Sequence, residues 1–285
     1  MDMLNRIRFS GFSDEISPIF SEQLRVLQKL EIGYMEMRGV DGKNVDSLTP
    51  EEVRSAREKL QEAGIQVSSI GSPIGKIGIR DDFAAHFEVF RRVVETAHTL
   101  SCRDIRMFSF YMPKGEDPLN YRSEVLERLL RLKEYAKKED VRLLHENEKG
   151  IYGNTAPRCL DLMNELYDEN FGCTFDFANF VQCGQDTQAA FSLLEPFIQY
   201  VHVKDALFEN GQVVLPGTGD GALLPLFRAL DEKGYAGFFS MEPHLTDFAG
   251  FAALEQGETE KKASPAQGEI AFTAAYLCAR GLMSL

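Results

Sequence analysis

Eight short segments rich in β-branched and aromatic residues alternate along the chain with segments of helical character, and this alternation constrains the fold most strongly. Between the short segments, apolar residues recur at steps of three and four, as in Phe83, Phe87, Phe90 and Val94. That spacing predicts a helix with one buried face. The predicted strands are IRFSGF (7–12), GYMEMR (33–38), IQVSSI (65–70), DIRMFSFYM (104–112), VRLLHE (141–146), FGCTFDFA (171–178), IQYVHVKD (198–205) and GFFSMEP (237–243).

Helix-boundary residues agree with this alternation. Thr49, Pro50 and Glu52 have the spacing of an N-cap, a first-turn proline and a capping-box glutamate. Gly64 is predicted to end that helix, and Gly234 to end the helix before the eighth strand. The last helix is predicted from about residue 264 to residue 285.

Eight strand-then-helix units favour a (β/α)8 TIM barrel. Helices on one side of a parallel sheet allow it to close, whereas helices on both sides give an open, doubly wound sheet, which is the alternative. No GxGxxG follows the first strand, and no linker rich in Pro, Gly or Ser divides the chain, so we predict a single barrel domain over residues 1–285. The longest loops (39–48, 113–120 and 244–263) follow strands, on the face where barrels place their sites.

Composition excludes several classes of function. The net charge of −13 argues against nucleic acid as a partner, because phosphate binding requires a basic surface. No apolar run is long enough for a membrane span, and the first residues lack a signal-peptide pattern. Five cysteines without a CxxC pair indicate neither a disulfide framework nor a zinc ribbon. We therefore expect a soluble, cytoplasmic protein with no membrane partner.

The ends of the last four predicted strands each carry one strong metal ligand: Glu146, Asp176, His202 and Glu242. They are separated by 30, 26 and 40 residues, close to one βα unit each, so we expect them to converge at the barrel mouth. Three carboxylates and one imidazole suit a single divalent ion, with Mn²⁺ or Mg²⁺ preferred and Zn²⁺ or Co²⁺ as alternatives. Any one of them alone is more often a solvated or structural residue, but four at successive strand ends indicate a metal site.

The order and spacing of several short motifs also resemble a known family. The motifs are GFSDEIS, SSIGSPIGK, HENEKGIYG, TFDFANF, VHVKD, LPGTGDG and SMEPHL, and they run from about residue 7 to residue 245. Their succession is similar to that of the xylose isomerase-like barrel superfamily, in particular its sugar phosphate isomerase/epimerase branch. The resemblance implies that Glu146, Asp176, His202 and Glu242 hold one metal ion and that Glu146 and Glu242 form the acid–base pair.

The implied activity is isomerisation or epimerisation of a sugar or sugar phosphate. A base removes the proton next to the carbonyl, and the metal stabilises the resulting enediolate. The chain has no tryptophan, and Asn179 stands where many relatives carry a histidine, so proton transfer is favoured over a two-metal hydride shift. The alternatives are dehydration of a keto-inositol or related polyol and a non-catalytic sugar-binding barrel. A DNA-repair endonuclease is disfavoured, since the chain has only five histidines and a charge of −13.

Five further residues are candidate substrate contacts. Lys76 and Arg106 are predicted to receive an anionic group, with a loop lysine and a barrel-interior ion pair as the alternatives. Lys204 and Asp205 follow His202, and Asp205 either orients a ligand or forms a salt bridge. Asn179 completes the set. The GTGDG run at 217–221 has the glycine content of a phosphate-binding turn, but glycines in a strand-to-helix turn need no phosphate to explain them, so a simple turn is preferred. The oligomeric state is left open between a monomer and a homo-oligomer, either a dimer or a tetramer.

Overall fold

The computed structural model describes residues 3–246 and 265–285. Its eight main strands lie at the eight predicted positions and carry the labels β1 to β8 below. They are β1 (Arg8–Gly11), β2 (Tyr34–Met37), β3 (Gln66–Gly71), β4 (Asp104–Met107), β5 (Arg142–Glu146), β6 (Phe171–Asp176), β7 (Ile198–Val203) and β8 (Phe238–Met241).

Nine α-helices connect or follow these strands within the described residues. The predicted last helix is present and begins at residue 265, which is also where the description of the chain resumes. The helices are α1 (Phe20–Lys29), α2 (Pro50–Ala63), α3 (Phe83–Thr99), α4 (Arg122–Lys138), α5 (Ala156–Leu166), α6 (Phe177–Gln182), α7 (Thr187–Leu194), α8 (Leu223–Glu232) and α9 (Pro265–Leu282).

All neighbouring strands of the main sheet are parallel, in the order β1-β8-β7-β6-β5-β4-β3-β2. A parallel bridge between Phe12 and Glu36 joins the remaining pair, β1 and β2. The sheet is therefore a nearly closed barrel with helices outside, which confirms the TIM barrel prediction over the open sheet. No helix in the described parts of the chain is both long and apolar enough to cross a membrane.

Several strands end earlier than the sequence predicted, the fourth and sixth among them. The predicted fourth strand extended to residue 112, but β4 ends at Met107, and Phe110 adopts a positive φ of 63°. The predicted sixth strand extended to residue 178, but β6 ends at Asp176, whose side chain caps α6 directly. Of the predicted loop at 244–263, residues 247 onward lie outside the described residues.

The barrel interior changes from apolar to polar along its axis. Leu144, Tyr200 and Phe238 form a buried apolar layer near the start of the strands. Above them the Ser68 hydroxyl lies 2.5 Å from that of Ser10 and 2.8 Å from that of Tyr200. Buried charged side chains occupy the carboxyl ends of the strands. Successive residues of a strand face opposite sides of the sheet, so residues two positions apart both point into the barrel. All three layers are built from such residues.

The predicted capping box of α2 is present, and it provides a test of how this helix is stabilised. Thr49 accepts a hydrogen bond from the amide of Glu52, and the Glu52 carboxylate accepts one from the amide of Thr49. We expect Thr49→Ala to lower the free energy of unfolding by about 1 kcal/mol, measured by urea denaturation. Thr155→Ala is the control, because Thr155 precedes α5 without making a side-chain cap. Equal losses in the two variants would contradict this explanation.

Candidate metal centre

The four predicted ligands come together at the carboxyl ends of their strands. Glu146, Asp176 and His202 lie at the ends of β5, β6 and β7, and Glu242 directly follows β8. One ligand atom from each lies within 4.8 Å of the others, and all four residues are buried. We call Glu146, Asp176, His202 and Glu242 the four-residue group below. Its geometry is consistent with one metal site.

Buried atoms of the four-residue group that lack a hydrogen bond also indicate a metal site. Glu146 Oε2, Asp176 Oδ2 and His202 Nδ1 are buried and make no hydrogen bond of normal geometry with the described residues. Glu146 Oε2 and Asp176 Oδ2 have only ion-pair contacts, with Arg106 and Lys204. A buried polar atom without a partner costs free energy unless something else satisfies it. Three carboxylates and an imidazole nitrogen are suitable ligands for a divalent cation. The residues present therefore fit a bound metal ion.

Glu36 orients the imidazole of His202. His202 Nε2 lies 3.1 Å from Glu36 Oε2, and the Ser240 hydroxyl donates to the same oxygen at 2.6 Å. With Nε2–H donating to Glu36, Nδ1 is left to face the other three members of the group. A carboxylate behind a metal-binding histidine fixes its tautomer and increases its basicity as a ligand.

The group is strongly coupled electrostatically. Burial raises the pKa of Asp176 to about 8, since the carboxylates of Glu242 and Glu146 oppose the lowering by Lys204. Burial acts in the same direction on Glu146, but His202 and Arg106 lower its pKa to about 2. The carboxylates of Glu36 and Glu146 raise the pKa of His202 well above 6.5, although burial opposes this. The metal-free site therefore holds protons that a cation must displace.

Two asparagines fix the backbone and carboxylate positions around β5 and β6. The Asn147 side chain donates to the Asp176 carbonyl and accepts from the Asp176 amide, both at 3.0 Å. The side chain of Asn179 donates from Nδ2 to Glu146 Oε1 at 3.0 Å. The backbone amide of Asn179 donates to Asp176 Oδ1 at 2.7 Å. Asn179, predicted as a substrate contact, thus directly orients two members of the four-residue group.

Four of the five predicted substrate contacts line a pocket above the four-residue group. Arg106 is a buried ion-pair partner, with Nε 3.3 Å from Glu146 Oε2. Lys204 Nζ lies 2.9 Å from Glu242 Oε2 and 3.1 Å from Asp176 Oδ2. The pocket is lined by Lys76, Arg106, Phe108, Glu146, Glu148, Lys149, Asn179, Gln182, Lys204, Glu242 and His244.

The loop after β3 places Lys76 over the pocket. Lys76 Nζ lies 3.1 Å from Glu148 Oε2 and 4.4 Å from the centroid of the Phe108 ring, and its side chain is only 7% exposed. Gly75 has a φ of +88°, and a Cβ there would lie 2.0 Å from the Phe108 carbonyl oxygen. The glycine before Lys76 therefore allows the loop to pass close to the end of β4.

Asp205 has different partners from those the sequence predicted. Its two carboxylate oxygens accept hydrogen bonds from the amides of Ala206, Gly217, Gly219 and Gly221, each at 2.9 Å. It neither lines the pocket nor contacts the four-residue group. The backbone amides of the GTGDG run, a candidate phosphate-binding turn, therefore donate to the Asp205 carboxylate instead. Asp205 therefore organises a strand-to-helix turn.

Four residues around the site were not predicted from the sequence: Glu36, Arg38, Asn147 and His244. A usable signal was present for Glu36 and Arg38, because both are charged residues in or next to the otherwise apolar segment GYMEM. The same reasoning that selected the four-residue group applies to them. Asn147 directly follows Glu146, and His244 follows Glu242 by two residues, but neither shows from the sequence alone that it faces the site.

A match to a protein-family model agrees with the fold and the site. A model of the xylose isomerase-like TIM barrel family matches residues 24–267, most of the chain. The protein therefore belongs to that family.

Individual relatives include epimerases and dehydratases. An inosose dehydratase from Clostridium perfringens is 26% identical over 134 residues, covering 41% of this chain and 45% of the relative. The match thus spans less than half of the relative's length. The crystal structure of an L-ribulose 3-epimerase has a TM-score of 0.74 and 17% identity, covering 98% of this chain and 96% of that one. A probable 3-DHS dehydratase from Bacillus anthracis has a TM-score of 0.72 and 16% identity, with 94% and 98% covered. At these identities the two structures show a shared fold.

The contact between Glu36 and His202 leads to a first prediction for the site. We expect Glu36→Gln to weaken Mn²⁺ binding by about 10- to 100-fold, because the imidazole loses its charged acceptor. Isothermal titration calorimetry measures the effect. Asp104→Asn is the matched control: Asp104 is also buried and pairs with Arg142, but at the opposite end of the barrel. An unchanged Mn²⁺ affinity in Glu36→Gln would contradict the role assigned to Glu36.

The protons held by the metal-free group lead to a second prediction. Below about pH 8, Asp176 is protonated in the metal-free protein, so a cation must displace that proton as well as the one on His202. Mn²⁺ affinity should therefore fall as the pH decreases, by about tenfold per pH unit for each proton displaced. Titrations in buffers of different ionisation enthalpy will count the protons. A pH-independent affinity between about pH 6 and 8 would contradict these protonation states.

Proposed function

We propose that this protein is a metal-dependent enzyme that transfers a proton at the carbon next to a carbonyl group, and thereby isomerises or epimerises a ketose, free or phosphorylated. The observation that carries the proposal is the convergence of Glu146, Asp176, His202 and Glu242 beneath a polar pocket. Buried carboxylates in such number are costly to maintain, which favours an enzyme over a non-catalytic barrel.

In this proposal the four-residue group holds one divalent ion, Mn²⁺ or Mg²⁺ in preference to Zn²⁺ or Co²⁺. When bound, the ion supplies positive charge that stabilises the negative charge developing on the substrate oxygens. The four residues are at most 4% exposed, so solvent screens this stabilisation only weakly.

Glu146 and Glu242 are the proposed acid–base pair. Arg106 and Asn179 hold Glu146, while Lys204 holds Glu242, so each carboxylate has a fixed orientation. Neighbouring cations keep the pKa of both carboxylates below the ordinary range, so both are ionised and able to accept a proton at neutral pH. A positioned base within reach of the reacting carbon is what general base catalysis requires.

Lys76, Arg106, Asn179 and Lys204 are the proposed substrate contacts. They line the pocket and offer N–H donors for hydroxyl and carbonyl oxygens. Lys76 and Arg106 both lie against the buried Phe108 ring, which holds the two cations at the pocket.

A second reaction is compatible with the same residues. After proton removal, the substrate can expel a hydroxyl group from the next carbon, which gives a dehydratase of a keto-inositol or related polyol. The similarity to an inosose dehydratase supports this candidate. Product mass separates the two reactions, because isomerisation and epimerisation conserve mass, whereas dehydration removes one water. Free and phosphorylated ketoses and a keto-inositol form the substrate panel.

The role of Glu242 is tested by exchange of the substrate proton with solvent. We expect Glu242→Gln to retain measurable Mn²⁺, since the amide oxygen still ligates. Uptake of deuterium from deuterated water should fall by about 10²- to 10⁴-fold, because the base is lost. Mass spectrometry of the recovered substrate measures the uptake. Glu116→Gln is the control, as Glu116 pairs with Arg80 on the exposed surface. Wild-type exchange in Glu242→Gln would falsify the assignment.

A further inference from the structure

Next to the four-residue group lies another set of metal-ligating side chains, formed by Glu15, Glu242 and His244. One donor atom from each lies within 4.8 Å of the others, and Glu242 belongs to both sets. His244 Nε2 lies 3.4 Å from Glu15 Oε1 and 3.3 Å from Glu242 Oε1. Two carboxylates and an imidazole at this spacing have the donor chemistry of a second divalent cation site.

A guanidinium group already lies against these carboxylates. Arg38, directly after β2, donates Nη2 to Glu15 Oε1 and Nη1 to Glu242 Oε1, both at 3.2 Å. Its Nε and Nη2 donate to the two carboxylate oxygens of Asp14 at 2.8 and 3.1 Å. The Arg38 side chain is 5% exposed and lies 4.3 Å from the centroid of the Phe12 ring. Its positive charge is therefore fixed in position.

The two oxygens of Glu242 face different cations. Oε1 accepts from Arg38 Nη1, whereas Oε2 lies 2.9 Å from Lys204 Nζ and 3.5 Å from His202 Nδ1. Oε2 thus faces the four-residue group, and Oε1 faces Arg38. The Glu242 carboxylate therefore belongs to both sets of metal-ligating side chains and presents a different oxygen to each.

We propose that Arg38 is the built-in second cation of this site, and that by holding Glu15 and Glu242 Oε1 it restricts the barrel to one divalent ion. An ion bound to Glu15, Glu242 and His244 would lie beside a buried guanidinium, where charge repulsion is only weakly screened. The inference rests on the proposed function, because it takes the four-residue group as the first metal site.

Metal stoichiometry tests the inference without any substrate. Mn²⁺ bound per chain is measured by calorimetric titration and by elemental analysis after gel filtration. The wild type should bind one ion. Arg38→Gln should bind two, the added ion more weakly, because Asp14, Glu15 and Glu242 lose their counter-charge. Arg38→Lys keeps a positive charge and should remain at one.

Two further variants locate the added ion. In the Arg38→Gln background, Glu15→Gln should return the stoichiometry from two to one. Arg142→Gln is the matched control, because Arg142 is another largely buried arginine with a bidentate carboxylate partner, Asp104, at the opposite end of the barrel. That variant should bind one ion, even if it is less stable.

The outcomes separate this inference from the proposed function. A wild type that binds two ions, reduced to one by Glu15→Gln alone, overturns the role of Arg38 and does not require Arg38→Gln to fold. A folded Arg38→Gln variant that binds one ion also overturns it and leaves the proposed function intact. A wild type that binds no divalent ion overturns both.

Discussion

The need to compensate buried charge at one end of the barrel determines how this site is built. Three carboxylates and one imidazole from four strand ends lie within a few ångströms of one another, and all four side chains are buried. Such an arrangement is stable only where cations and hydrogen-bond donors offset the repulsion. Arg106, Lys204 and the imidazole of His202 provide part of this compensation. Several buried ligand atoms of the group still lack a hydrogen bond, which is consistent with a metal site at this position.

The residues around the four-residue group fall into two supporting sets on opposite sides. On one side, Asn147 and Asn179 tie β5 to β6 and orient Glu146 and Asp176. On the other, Arg38 connects the segment after β1 with the carboxylate that follows β8. That second set lies where β1 and β2 meet through the bridge between Phe12 and Glu36. The same contacts therefore support barrel closure and ligand position.

This organisation explains how one family scaffold suits more than one reaction. In the proposed function, the four-residue group and its two glutamates provide proton transfer next to a carbonyl, which is a step shared by isomerisation, epimerisation and dehydration. Whether the proton returns to the substrate or a hydroxyl leaves depends on the groups above the ion. Here those groups are the side chains of Lys76, Arg106, Asn179 and Lys204, together with the Phe108 ring.

The sequence by itself determined the eight-unit barrel, the capping box of α2 and the convergence of four candidate ligands at successive strand ends. Strand and helix periods and the spacing of one βα unit are local properties of the chain, so they can be predicted from it. Only the tertiary structure decided the partners of those ligands. Glu36 and His202 are in contact although they lie 166 residues apart in the sequence, and Arg38 and Glu242 are in contact across 204 residues. At such sequence separations, periodicity carries no information about contacts. Asp205 shows the same point in reverse: its residue type and position suggested a ligand contact, but the glycine amides that return to it in space make it the centre of a turn.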